Sequence, residues 1–218
     1  MLLAASDPWI RWDWVQSHTA RITDALVQHV ELTVIAVGVG FLIAVPVGLF
    51  AWRYRKGRGV VLSLTGALYT IPSLALFALL VPYSGLTFLT AEIGLVAYTL
   101  LILVRNIVVG LDGVPAEVRD AARGMGFRTR AQLLRVELPL ALPVIMAGVR
   151  IATVTTIGLV TITALIGEGG LGQLILDGLL RDFRTPLVVG SVLSVALAIV
   201  CDGGLALIQR AITPWSQT

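Results

Sequence analysis

VPAEVRDAARGMGFRTRAQLLRVELPLALP, residues Val114 to Pro143, is the part of this chain least suited to a membrane. Five of the sixteen basic residues fall within it, yet apolar runs close in on both sides. The stretch reads as two short helices around a glycine turn. Pro115 suits a first helical position, where its missing N–H costs nothing. Glu117 then sits at the positive end of the helix dipole. Gly124 and Gly126 can stop the helix, because glycine reaches the left-handed angles of a C-terminal cap. Thr129 and Gln132 have the spacing of a capping box for the second helix. Pro139 disfavours helix in its predecessor, which predicts an end near Leu138. A unit this small has no core of its own, so its expected role is contact with another protein; a loop that binds nothing is the alternative.

Around this stretch the chain is apolar. Of 218 residues, 57% are hydrophobic and 13% charged, and the mean hydropathy is +0.92. That leaves too little polar surface for a soluble globule. The net charge of +3 is no nucleic-acid footprint, because the arginines alternate with acids and sit between apolar runs. Cys201 is the one cysteine, so an intrachain disulfide or a thiolate metal cluster is not expected. The first thirty residues lack the pattern of a cleaved signal peptide.

Residues 1–30 carry Trp9, Trp12 and Trp14, typical interfacial anchors, and Val15, Ile22, Leu26 and Val30 at helical spacing. An outer amphipathic helix lying on the membrane is expected there. The first span is Leu32 to about Trp52, with Gly40, Ala44 and Gly48 as a small-residue ridge for close helix packing. Pro46 is a candidate kink. Arg53, Arg55, Lys56 and Arg58 then stop it. The second span is expected at about Val60 to Leu80, bent at Pro72, and the third at about Leu89 to Val109. Pro72 frees a carbonyl, for which Ser73 or Thr70 is a candidate donor; a kink lining a pathway is the other reading. Arg105 and Asn106 fall at the inner end of the third span. The fourth is expected at about Leu140 to Ile166, with Arg150 placed to snorkel inward or to face a water-filled path. Gly167–Gly172 is dense in glycine but lacks the Lys-Ser or Lys-Thr of a phosphate cradle, and a short outer helix is expected over Gln173–Phe183. The last span is about Leu187 to Ile208, with Asp202 expected to take a buried ion pair with an arginine of a neighbouring helix. Loops after the first and third spans gather most of the basic charge. The positive-inside rule therefore gives five spans, the amino terminus outside and the carboxyl terminus inside.

The stretch quoted at the outset also carries a resemblance. Asp120-Ala121-Ala122, three residues, Gly126, nine residues, Val136, one residue and Leu138-Pro139 resemble the signature loop of bacterial ABC importer permeases, with Asp for Glu and Val for Ile. Arg105-Asn106 and Asp202 match positions often seen in these permeases. The pieces IPSLALFALLVP, RDAARGMG and IGEGGLGQLI resemble the glycine betaine, choline and carnitine group. What the resemblance implies is an all-α polytopic fold in the bacterial inner membrane. It has an outer segment at 1–30, a permease domain at 31–210 with its coupling loop at about 110–139, and a cytoplasmic tail at 211–218. It implies ATP-driven import of a quaternary ammonium osmoprotectant. Glu117, Asp120, Ala121, Ala122, Gly124, Gly126, Val136, Leu138 and Pro139 would form the ATPase-coupling loop. Pro72, Ser73, Arg105, Asn106 and Arg150 are candidates for a path or gate. The implied partners are a second permease subunit, identical or homologous, a cytoplasmic ATPase dimer, an external binding protein and membrane lipid. ATP and magnesium would be held by the ATPase. No cofactor is expected here, since Lys56 is the only lysine and no Walker A loop exists. No HExxH, GxSxG or Cys–His arrangement is present, so an enzyme is not expected. A methionine importer permease is the alternative within the class. A channel or secondary transporter is the alternative outside it, although no internal repeat supports one.

Overall fold

From Thr19 to Val37 no glycine or proline interrupts the chain, so nothing stops a helix once it has begun. The computed structural model, which describes residues 8–216, bears this out. After a short α1 (Trp12–Ser17), α2 runs unbroken over Thr19–Arg53. The first seven residues of the expected outer segment and the last two of the expected tail lie outside the described residues. From Thr19 the expected outer helix and the first span are one continuous helix rather than two. Within it His29 is fully buried, with Nε2 donating to the Ile157 carbonyl at 3.0 Å, while Val30 of the expected apolar face is exposed. At roughly 1.5 Å per residue, α2 extends about 52 Å, well beyond a hydrocarbon core of about 30 Å.

The remaining elements are α3 (Arg55–Thr70), α4 (Ser73–Ser84), α5 (Phe88–Asp112), α6 (Ala116–Gly124), α7 (Thr129–Gln132), α8 (Leu138–Val160), α9 (Leu171–Leu180) and α10 (Arg184–Ile212). A π-helical turn, Leu133–Glu137, joins α7 to α8, and a 3-10 turn, Ile162–Ile166, follows α8. Among the described residues every regular element is helical. Four stretches are long and apolar enough to cross a bilayer: Thr19–Arg53, Phe88–Asp112, Thr129–Val160 and Arg184–Ile212. The pair α3 and α4 makes a fifth only as a broken crossing. The expected bend at Pro72 is in fact a break, because Ile71 (ψ 126°) and Pro72 (ψ 134°) are both extended. A residue before proline is pushed out of the helical region, and here proline itself follows suit.

The described chain divides into two compact units. One comprises residues 8–36, Pro72–Leu95 and Val154–Val200; the other comprises Val37–Ile71, Val96–Thr153 and residues 201–216. In the first, the glycine-rich turn is tied to α2. Gln28 donates to Glu168 Oε2 at 2.8 Å and accepts from the Gly170 N–H at 3.1 Å, while Arg21 pairs with Asp177. In the second, the small-residue ridge works as its spacing predicts. A Cβ at Gly48 would stand 2.8 Å from Ile107 Cγ2, and Ala44 is fully buried. α2 thus lies tightly on α5, and Ala44, Leu103, Val104, Ile107, Leu111, Ala141, Ile145 and Ala152 make one core. Burial separates the long helices: half of the apolar window of α5 is buried, against 6% of that of α10.

Candidate functional site

The stretch Val114–Pro143 lies wholly within the second unit. Pro115 precedes α6 rather than opening it, with ψ 143°, and Glu117 takes the first turn. The helix ends in a Schellman arrangement. Gly126 has φ +82°, its N–H bonds the Arg123 carbonyl at 2.9 Å, and the Phe127 N–H reaches back to the Ala122 carbonyl at 3.1 Å. α6 therefore has two faces. Glu117, Asp120, Ala121, Gly124 and, just beyond its end, Met125 are exposed, with Met125 70% so. Ala122 and Arg119 point the other way. Ala122 is fully buried, and Arg119 donates to the Leu111 carbonyl at 2.5 Å and lies over the Trp52 ring at 5.9 Å.

The expected capping box is not made. Arg128 is the N-cap of α7, no side chain caps that helix, and Gln132 donates instead to Glu137 Oε1 at 2.7 Å. A buried carboxylate is the stronger acceptor, since a charge-assisted bond gains about twice a neutral one. Nor does the second helix end near Leu138. The Leu138 N–H bonds the Leu133 carbonyl five residues back, and this π turn carries the helix past Pro139 into α8. The wider turn re-routes the backbone bonds around the donor that proline lacks. Val136, Leu138 and Pro139 thus sit on a helix continuous with a span, partly buried, while Glu117 to Gly126 sit on α6 and its turn. Arg119 and Glu137 were not singled out from sequence, and Gln132 was read only as half of a capping box. The signal was there: Glu137 is the only acid between Asp120 and Glu168.

Between the end of α2 and these helices is a cleft of about 760 Å³, bordered by Trp52, Arg53, Arg55, Asp112, Arg119, Arg123, Arg130 and Glu137 among others. The two short helices thus present one polar face outward, with Arg119, Gln132 and Glu137 bonded or packed on the other side.

Residues 36–214 match the family described as "Binding-protein-dependent transport system inner membrane component". The chain belongs to that family. It is the transmembrane permease subunit of an ABC importer, a multi-pass inner-membrane protein. It is 37% identical over 188 residues to the Bacillus subtilis glycine betaine/carnitine/choline transport system permease protein OpuCB, covering 86% of each chain. It is 40% identical over 192 residues to the osmoprotectant import permease protein OsmW of Salmonella typhimurium, covering 86% of this chain and 89% of that one. In fold it matches an inward-facing structure of the MetNI methionine ABC transporter, with a TM-score of 0.77 and 22% identity over 88% of this chain and 96% of that one.

The other sequence-derived candidates of the permease are dispersed. Pro72 precedes α4 and Ser73 begins it, in the first unit. The carbonyl of Ile71 receives the Tyr98 hydroxyl, and Thr70 turns to the Ala67 carbonyl at 2.8 Å. Neither Thr70 nor Ser73 serves the expected donor role. Arg105, Asn106, Arg150 and Asp202 belong to the second unit. Arg105 is exposed on α5, while Asn106 bonds the Ile102 carbonyl at 2.8 Å and packs against Gly148. The arginine expected opposite Asp202 is Arg150, which grips it with Nε and Nη2, each at 2.8 Å. The pair is not buried as expected, since the side chains are 31% and 40% exposed. Gln209 extends it, 3.5 Å from Arg150 Nη1 and donating to the Pro143 carbonyl at 3.3 Å.

Proposed function

We propose that this permease forms the path for a quaternary ammonium osmoprotectant such as choline, glycine betaine or carnitine. The observation that carries the reading is identity: a relative named for these solutes shares 37%, and one named for osmoprotectant import 40%, over most of the chain. A methionine importer is the second reading, favoured by the fold match alone, and 22% identity does not speak for substrate.

The proposed mechanism begins at the exposed face of α6. A cytoplasmic ATPase dimer, which would bind ATP and magnesium, docks on Glu117, Asp120, Ala121, Gly124 and the Gly126 turn. The orientation is the one that basic charge supports, with this turn inside and the amino terminus outside. Closing of the ATPases pushes α6. Because Arg119 braces α6 against Leu111 and Gln132 bonds Glu137, the push is not lost in a loose loop. The helical stretch Thr129–Val160, carrying Val136, Leu138 and Pro139, passes it into the membrane. A second permease subunit, identical or homologous, completes the path, and an external binding protein delivers the solute. That protein would select the cation, most simply by aromatic rings around it. The permease itself performs no catalysis in this scheme. Pro72, Ser73, Arg105 and Asn106 remain candidates for the path, and Arg150 serves as a tie to α10 through Asp202.

Proteoliposomes holding the permease, its ATPase and its binding protein test the substrate. Saturable uptake of labelled choline, competed by glycine betaine or carnitine but not methionine, is the expected result. Saturable methionine uptake that requires this chain would move the assignment to the second reading.

A further inference from the structure

The cleft behind α6 carries more positive charge than its own carboxylates answer. Two of its acids are engaged: Asp112 by Arg58 at 2.5 Å, and Glu137 by Gln132 at 2.7 Å with Arg119 Nε 4.0 Å away. Arg53 lies over the Tyr54 ring at 5.7 Å, and Arg55 and Arg130 have no hydrogen-bond or carboxylate partner among the described residues. Three guanidinium groups therefore border a hollow of about 760 Å³ without an anion. A surface run of arginines facing bulk water needs no ligand. Here, however, the charges come from separate segments, 53–55 and 119–130, and converge on one concavity. The Arg119 Nε on its inner wall is buried and makes no hydrogen bond. Guanidinium is planar and offers paired donors, which match the oxygens of a phosphate better than a single ammonium does.

We propose that this cleft binds a phosphate-bearing anion, bridging Arg53 at the end of α2 and Arg55 at the start of α3 to Arg130 within α7. The anion's source is either the headgroup of an acidic phospholipid or a free phosphate. Bound there, it draws the coupling helices onto the end of the first span and stiffens the lever. This role rests on the proposed coupling function, whereas the binding itself does not.

The test uses the full-length permease in nanodiscs. One arm compares phosphatidylglycerol with phosphatidylcholine discs and counts retained phosphatidylglycerol by native mass spectrometry. The other titrates inorganic phosphate and pyrophosphate into phosphatidylcholine discs by calorimetry. Wild type should bind saturably in one arm, which identifies the source. The double variant Arg55→Gln/Arg130→Gln should weaken that binding roughly tenfold or more, as expected for losing two charge-assisted contacts. Arg135→Gln, in the neighbouring π-helical turn and not bordering the cleft, should bind like wild type. No saturable binding in either arm, or equal binding by the double variant, would overturn the proposal. Adding the ATPase separates the two readings. If it docks and the anion stays, both stand; if it docks and expels the anion, the cleft is a protein-docking surface and the proposal falls. Anion binding without docking would leave the site standing and count against the coupling function alone.

Discussion

At Gly126 the backbone has φ +82°, and no neighbouring group lies within 4 Å of where a Cβ would stand. Substitution there is opposed by backbone conformation alone. Gly126→Val should cost about 1–3 kcal/mol locally, and Gly126→Asn clearly less, because asparagine tolerates left-handed angles. Thermal melting of the purified variants checks this order, and equal melting would show that the turn is not strained by a side chain. Glu137 is a second such residue, 4% exposed and taking the Gln132 amide. Glu137→Ala should cost about 2 kcal/mol by leaving the Gln132 amide without its acceptor and removing the carboxylate 4.0 Å from Arg119 Nε, while Glu137→Gln keeps a carbonyl and should lose less. Denaturation of both variants in one detergent decides it; Glu137→Gln falling as far as Glu137→Ala would assign the effect to charge rather than to the hydrogen bond.

Between helices the decisive contact is α2 on α5. Gly48→Leu should destabilise by about 1–3 kcal/mol, because the new side chain must displace Ile107, and Ile107→Ala should restore part of the loss. Gly38, on the same helix with open space around it, should accept alanine without penalty. Melting of the three variants tests this, and a Gly38→Ala defect as large as that of Gly48→Leu would remove the packing argument. The ridge was legible in the sequence because small residues four apart have one main use between apolar helices. The partner of Asp202 was not, because pairing Arg150 with a residue 52 positions later needs the arrangement of α8 beside α10. Pro139 misled for a related reason. Its local rule is sound, but a π turn satisfied it without breaking the helix, and Glu137, which draws Gln132 across that turn, outcompeted the capping box. The spacing from Asp120 to Pro139 carried the family resemblance, while the contacts behind the turn come from Arg119 and Glu137, which belong to no motif, and from Gln132, whose capping-box spacing pointed to a different bond.

At the scale of the molecule, topology and coupling can be tested separately. In a Cys201→Ser background, a cysteine at the exposed Arg128 should react with a membrane-impermeant maleimide only after the membrane is opened. One at the exposed Arg181 should react in intact cells, and labelling of both from the same side would contradict five crossings with an outer amino terminus. Arg181 is a better reporter than Gln173, whose side-chain oxygen is buried. The central claim is that the turn at Gly126 passes ATPase motion into the Thr129–Val160 helix. Its most direct test is ATP hydrolysis by the whole complex in proteoliposomes, with and without solute-loaded binding protein, for wild type and for a folded, membrane-inserted Gly126→Val. The account predicts that the variant loses choline uptake and that its remaining hydrolysis no longer responds to loaded binding protein. Wild-type uptake together with wild-type stimulation in Gly126→Val would contradict it.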